Sequence, residues 1–112
     1  VIAINNIPNH FKIDYRIFLN RARFANYSNL IIKSQECLLS PYFKKKFIYE
    51  HIKMKKYSLS NYKIDKKIKS NFRIDENIIV FKKNPNTGFV AILLAYLMGS
   101  NNINVAGIDG YH

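Results

Sequence analysis

Apolar and polar positions fall into short runs along this chain, and those runs set the expected element map. Val1 to Asn5 is a continuous apolar run ending in Asn5-Asn6, after which Ile7-Pro8-Asn9 breaks the pattern. Tyr15-Arg16-Ile17-Phe18-Leu19 is a second β-rich run, closed by Asn20. Leu30-Ile31-Ile32 is a third, after the turn-prone Asn26-Tyr27-Ser28-Asn29. Between the second and third, Arg21 to Tyr27 is long enough for about two helical turns. Runs this apolar predict strands covered on both faces, as in a parallel sheet.

The middle of the chain is less regular. Pro41 to Met54 carries aromatics at 42, 43, 47 and 49 among lysines, which reads as an amphipathic helix or a lid. Tyr57 to Tyr62 and Asn71 to Arg73 read as loop or edge-strand material. Lys63 to Lys69, with Ile64 and Ile68 four apart, predicts a short basic helix. Ile78-Ile79-Val80-Phe81 predicts a strand.

The last quarter has the clearest punctuation. Asn84-Pro85-Asn86-Thr87-Gly88 is a polar turn in which Asn86 or Thr87 can cap the helix that follows. Phe89 to Met98 is apolar all round, the pattern of a buried helix, and Gly99 ends it. Ile103 to Ala106 predicts a further strand. Strand, turn, helix and strand in this order outline a right-handed crossover unit. The expected fold is therefore α/β with a mostly parallel sheet.

Composition bounds the class. A chain of 112 residues is one small domain or a piece of one, and 48% apolar residues suffice for a core, which excludes disorder as the default. The single cysteine, Cys37, excludes an internal disulfide and with it a secreted, stapled miniprotein; a cytoplasmic home is expected. The longest strongly apolar stretch, Phe89 to Met98, is about half a membrane span, so no transmembrane segment is expected. Val1 already stands inside an apolar run and His112 closely follows a strand-like one, so the chain is expected to be an excerpt of a longer protein.

The formal net charge of +11 points at first to nucleic acid. Lys, Ile, Asn, Tyr and Phe, whose codons are rich in A and T, supply 61 of the 112 residues, so base composition alone raises the lysine count. Lysines outnumber arginines 14 to 4, whereas phosphate and base-edge recognition favour arginine's planar fork. Fourteen of the basic residues lie between 33 and 83, and none after 83. Aromatics and lysines interleave from Tyr42 to Lys56 as in single-strand binders, but lysine stems lying over packed rings give the same pattern. Nucleic acid is accordingly not the expected partner.

Candidate chemistry gathers at predicted strand ends, where open α/β sheets bind ligands. Those positions carry Asn5 and Asn6, Asn20 with Arg21 and Arg23, the 84–88 turn with Asn86, Thr87 and Gly88, and Asp109 with Tyr111. Asparagine both donates and accepts, which suits ribose, a base edge or a sugar hydroxyl, and Arg21 or Arg23 suits a phosphate. Amides opening a helix near Thr87 suit another. Asparagine is also a common turn residue, so each of these positions has a purely structural alternative. Neither standard nucleotide fingerprint is present: there is no Gly-x-Gly-x-x-Gly and no phosphate-loop lysine. His10, Cys37, His51 and His112 lack metal-ligand spacing, and no cofactor or metal is expected of this fragment.

The stretch from Asn86-Thr87-Gly88 through the apolar helix to Gly99, followed by Ile103-Asn104-Val105-Ala106-Gly107-Ile108-Asp109-Gly110-Tyr111, resembles the helix-strand segment of family 42 bacterial sialyltransferases and related Rossmann-like proteins of surface-polysaccharide clusters. The runs Val1 to Asn6 and Asp14 to Asn20 look like that family's second and third strands. A closer likeness is to the domain that follows the barrel of aldolases similar to hydroxymethylglutaryl-CoA lyase in such clusters. It is carried by Val1 to Asn6, Phe11 to Tyr15, Phe18 to Phe24 and Ala106 to Tyr111. Together the matching pieces span about half of the chain, and the basic middle, about 41 to 73, reads as a variable insert.

The resemblance implies one three-layer, Rossmann-like α/β domain over residues 1–112, excerpted from a bacterial enzyme of polysaccharide biosynthesis. It implies an accessory domain of an aldolase-like enzyme that binds a nucleotide sugar or phosphorylated sugar; the alternatives are a sialyltransferase-like core and a structural or dimerisation domain. By that match Asn5 or Asn6, Asn20, Asn86, Thr87, Asp109 and Tyr111 would line a cytidine nucleotide-sugar pocket. The sialyltransferase family's Gly-Asn-Gly-Pro-Ser loop would lie before Val1 and its catalytic histidine beyond His112, so the fragment is not expected to catalyse alone. The expected protein partners are the rest of the parent chain and, in an oligomer, a second copy.

Overall fold

In the computed structural model, residues 2–4, 9, 12–52 and 56–99 are described. Their order is β1 (Ile2–Ile4), β2 (Tyr15–Phe18), α1 (Arg21–Tyr27), a 3-10 turn (Ser28–Leu30), β3 (Glu36–Leu39) and α2 (Lys45–His51). Then come β4 (Tyr57–Leu59), β5 (Tyr62–Ile64), β6 (Phe72–Asp75), β7 (Ile78–Phe81) and α3 (Thr87–Leu97). The chain is a mixed α/β domain. Strands β1, β2, β3 and β4 form a wholly parallel sheet in that order. A second sheet has the order β5-β7-β6, with β5 parallel and β6 antiparallel to β7.

Successive strand residues point to opposite faces, and in β2 and β3 both faces are apolar. Phe18, Cys37 and Leu39 join Phe24 of α1 and Ile48 of α2 in one cluster. Ile17 and Leu38, one residue out of phase, join Val90 and Ala91 of α3 and Tyr62, Ile79 and Phe81 of the smaller sheet in another. Phe24 centres the first cluster: its ring meets those of Phe18, Phe43 and Phe47 at centroid distances of 5.5, 5.5 and 5.6 Å. The double burial expected of a parallel sheet is thus present at β2 and β3.

Several expectations need correction. The third apolar run does not form a strand: residues 28–30 close a 3-10 turn, Ile31 is buried, and Ile32 remains 47% exposed. The strand beside β2 is instead Glu36–Leu39, reached through a turn in which Gln35 N–H donates to the Ile32 carbonyl. The 63–69 segment is not helical. Ile64 belongs to β5, and Ile68 is buried after a turn that Asp65 Oδ1 stabilises by accepting from Lys67 N–H. Where the pattern leaves alternatives open, one of each is formed: the short helix α2 in 41–54, and edge strands in the regions read as loop or edge strand, since β4 and β6 each lie at the edge of a sheet.

Helix α3 is buried on one face only. Val90, Ala91 and Ala95 are buried, whereas Tyr96 and Met98 keep 63% and 48% of their surface exposed. On that face Val90 and Ala91 share one cluster with Ile4 of β1 and Ile17 of β2, and Leu38 of β3 packs against it. Gly99 ends α3 at φ +84°, its N–H donating to the Tyr96 carbonyl, as the helix-stop reading required. The strand expected at 103–106 lies outside the described residues. Among the described residues no helix is long and apolar enough to cross a membrane.

Candidate functional site

Two helix starts frame the site. Asn20 leaves β2 in an extended conformation, and its Oδ1 accepts from Arg23 N–H at 3.0 Å, capping α1. Asn86 does the same for α3, its Oδ1 accepting from Gly88 N–H at 2.8 Å and from Phe89 N–H at 3.3 Å. Both caps employ side-chain oxygen. The Nδ2 group of each asparagine remains a donor outside the cap.

An open cleft of about 340 Å³ lies between these two starts. One wall is Leu19, Asn20 and Arg23, from the carboxyl end of β2 and the first turn of α1. The other is the turn Asn84, Pro85, Asn86 and Thr87, and Tyr62 of β5 completes the lining. Among the described residues the lining holds one cation and no carboxylate. Its polar groups are amides, a threonine hydroxyl and a phenol, which suit hydroxyls, and a guanidinium, which suits a phosphate or carboxylate. Burial raises the pKa of the Tyr62 phenol, so it stays protonated at neutral pH.

The structure brings together four of the sequence-predicted residues: Asn20, Arg23, Asn86 and Thr87. Arg21 points elsewhere, its guanidinium 4.2 Å from the centre of the Phe47 ring on the α2 side. Gly88 is buried in the first turn of α3 with its amide held by Asn86, outside the cleft lining. Asn5, Asn6, Asp109 and Tyr111 lie outside the described residues.

Sequence reasoning missed Tyr62, which stood at the end of a run read as loop or edge strand. It also missed Arg16, which is fully buried in β2 between Ala3 and Cys37 of the neighbouring strands. Its Nη2 donates to Asn9 Oδ1 at 2.8 Å, and Nε reaches Gln35 Oε1 at 3.4 Å. Burial lowers its pKa from the ordinary arginine value. A charge inside an otherwise apolar run was the one available signal.

Among the described residues no three His, Cys, Asp or Glu side chains gather as a metal site would require. No protein-family model, curated protein or solved structure matches the chain.

Proposed function

We propose that the cleft binds a phosphorylated sugar, foremost a nucleotide sugar, within a Rossmann-like, three-layer module of a larger bacterial enzyme of surface-polysaccharide assembly. The module follows an aldolase-like barrel, and transfer or aldol chemistry is carried by residues elsewhere in the parent. The supporting observation is the convergence of Asn20 and Arg23 with Asn86 and Thr87, from distant parts of the chain, at the carboxyl end of a parallel strand. Arg23 and Thr87 would face the phosphate, while the Asn20 and Asn86 Nδ2 groups would meet hydroxyls. The two apolar clusters on opposite faces of β2 and β3 support the layered reading.

A second reading has its own observation: both asparagines are helix caps, which is sufficient reason for either to be there. On that reading the chain is a structural or dimerisation domain.

Calorimetry with cytidine 5′-monophosphate and CMP-sialic acid separates the two. Asn20→Asp and Asn86→Asp keep the caps while replacing the Nδ2 donor, and Arg23→Gln removes the cation without touching the backbone amide that Asn20 holds. Ligand binding that weakens roughly tenfold in Arg23→Gln, with an unchanged melting temperature, supports the cleft. An absence of heat at millimolar ligand favours the structural domain.

A further inference from the structure

Ser60 is 4% exposed, and its Oγ has no hydrogen-bond partner among the described residues. Buried hydroxyls in native folds are nearly always satisfied, so this one calls for a partner. Its location suggests which. Ser40 N–H donates to the Phe18 carbonyl at 3.1 Å and Ser60 N–H to the Leu39 carbonyl at 2.7 Å, carrying the registers of β2, β3 and β4 one residue further. Leu19, Ser40 and Ser60 are therefore the last row at the carboxyl end of the sheet. Leu19 packs with Tyr62 in the α3-side cluster, and both line the cleft.

Tyr62 meets this row at Leu19 and Ser40. Its hydroxyl lies 3.3 Å from Ser40 Oγ, beyond the usual range for O–H···O bonds, which ends near 3.0 Å. Ser40 Oγ also accepts from Tyr42 N–H at 3.1 Å, so it keeps a partner if the Tyr62 ring swings away. Leu19, Ser40, Ser60 and Tyr62 are all uncharged, which unsuits the row to a buried anion and suits it to a neutral hydroxyl that both donates and accepts.

We propose that the Ser40–Ser60 row beneath Tyr62 is the inner end of the cleft, and that Ser60 Oγ recognises a sugar-ring hydroxyl of the bound ligand once the Tyr62 ring has moved aside. The inference rests on the phosphorylated-sugar reading of the cleft. It makes Ser60 a specificity-determining residue. The hydroxyl belongs either to a ribose or to a hexose.

Calorimetry and thermal unfolding of the wild type and Ser60→Ala, with three probes, test it: cytidine 5′-monophosphate, its 2′,3′-dideoxy analogue, and glucose 1-phosphate. Removing an unsatisfied buried hydroxyl leaves the melting temperature of Ser60→Ala equal to or above that of the wild type. Affinity falls about fivefold for the probe whose hydroxyl Ser60 meets. A loss with the monophosphate but not with its dideoxy analogue assigns a ribose hydroxyl, and a loss with glucose 1-phosphate assigns a hexose. Unchanged affinities in Ser60→Ala, while Arg23→Gln weakens binding, overturn the inference and leave the cleft reading standing. A lowered melting temperature with unchanged affinities also overturns it, since the hydroxyl then serves the fold through ordered water. Wild-type protein that binds none of the probes overturns both.

Discussion

Arg16 and Gln35 meet on a single acceptor: Asn9 Oδ1 takes hydrogen bonds from Arg16 Nη2 at 2.8 Å and from Gln35 Nε2 at 2.6 Å. Asn9 in turn donates from Nδ2 to the Leu30 carbonyl, and Gln35 Oε1 accepts from Ile32 N–H. One asparagine thus ties the charged residue of β2 to the turn that leads into β3. Arg16→Met preserves the stem and its packing but strips these polar partners of a donor. It is expected to destabilise the fold by about 2–4 kcal/mol, read as a lower denaturant midpoint with an unchanged slope.

Asn86 starts α3 by accepting from two amides, and alanine there is expected to lower stability by about 1 kcal/mol, with aspartate or serine close to neutral. Chemical denaturation of the three variants checks the order. A loss in the aspartate variant as large as in the alanine one would mean that Nδ2 carries structural weight as well.

Glu76 occupies φ +56° at the first position of the two-residue connection between Asp75 and Ile78, which pair across β6 and β7. Positive φ there favours glycine. Glu76→Gly is expected to stabilise the domain by about 1 kcal/mol, visible as a raised melting temperature.

Tyr62 supplies a pH dependence. Burial raises its folded-state pKa above the unfolded value of about 10. Below that value the phenol is protonated in both states and contributes no slope. Above it the unfolded chain releases the proton first, so stability falls as pH rises toward the folded-state pKa. Tyr62→Phe is expected to lose stability less steeply above pH 10 than the wild type in alkaline unfolding titrations. Parallel slopes for the two proteins would refute burial as the cause.

What the sequence made legible follows from where local chemistry and tertiary burial agree. The core of β2, strand β7 and the Asn86-capped start of α3 each have an apolar run bounded by a turn or cap residue, helix α1 fills a segment long enough for two turns, and each formed as expected. Where apolar side chains reach the core from irregular backbone, pattern misleads. Ile31 is buried from a turn rather than a strand, and Ile64 and Ile68 are spaced like a helix face, yet Ile64 is half-buried in a strand and Ile68 is buried after a turn. The β6–β7 hairpin lacked the Asn-Gly or Asp-Gly signature because Glu76 holds the strained position. At the site, strand-end reasoning found Asn20, Arg23, Asn86 and Thr87. It had no means of finding Tyr62, which reaches the cleft from a different sheet.

The opposite phasing of Phe18 and Ile17 has a consequence for how this protein can change over time. Because neighbouring residues of β2 and β3 serve separate apolar clusters, a substitution among the rings around Phe24 and its compensation can both occur on the α1–α2 side. Separated sites that share no partners tend to act additively. The aromatic side is therefore free to drift and repair itself, while a single inserted residue in β2 would send the side chains beyond it into the opposite compartment.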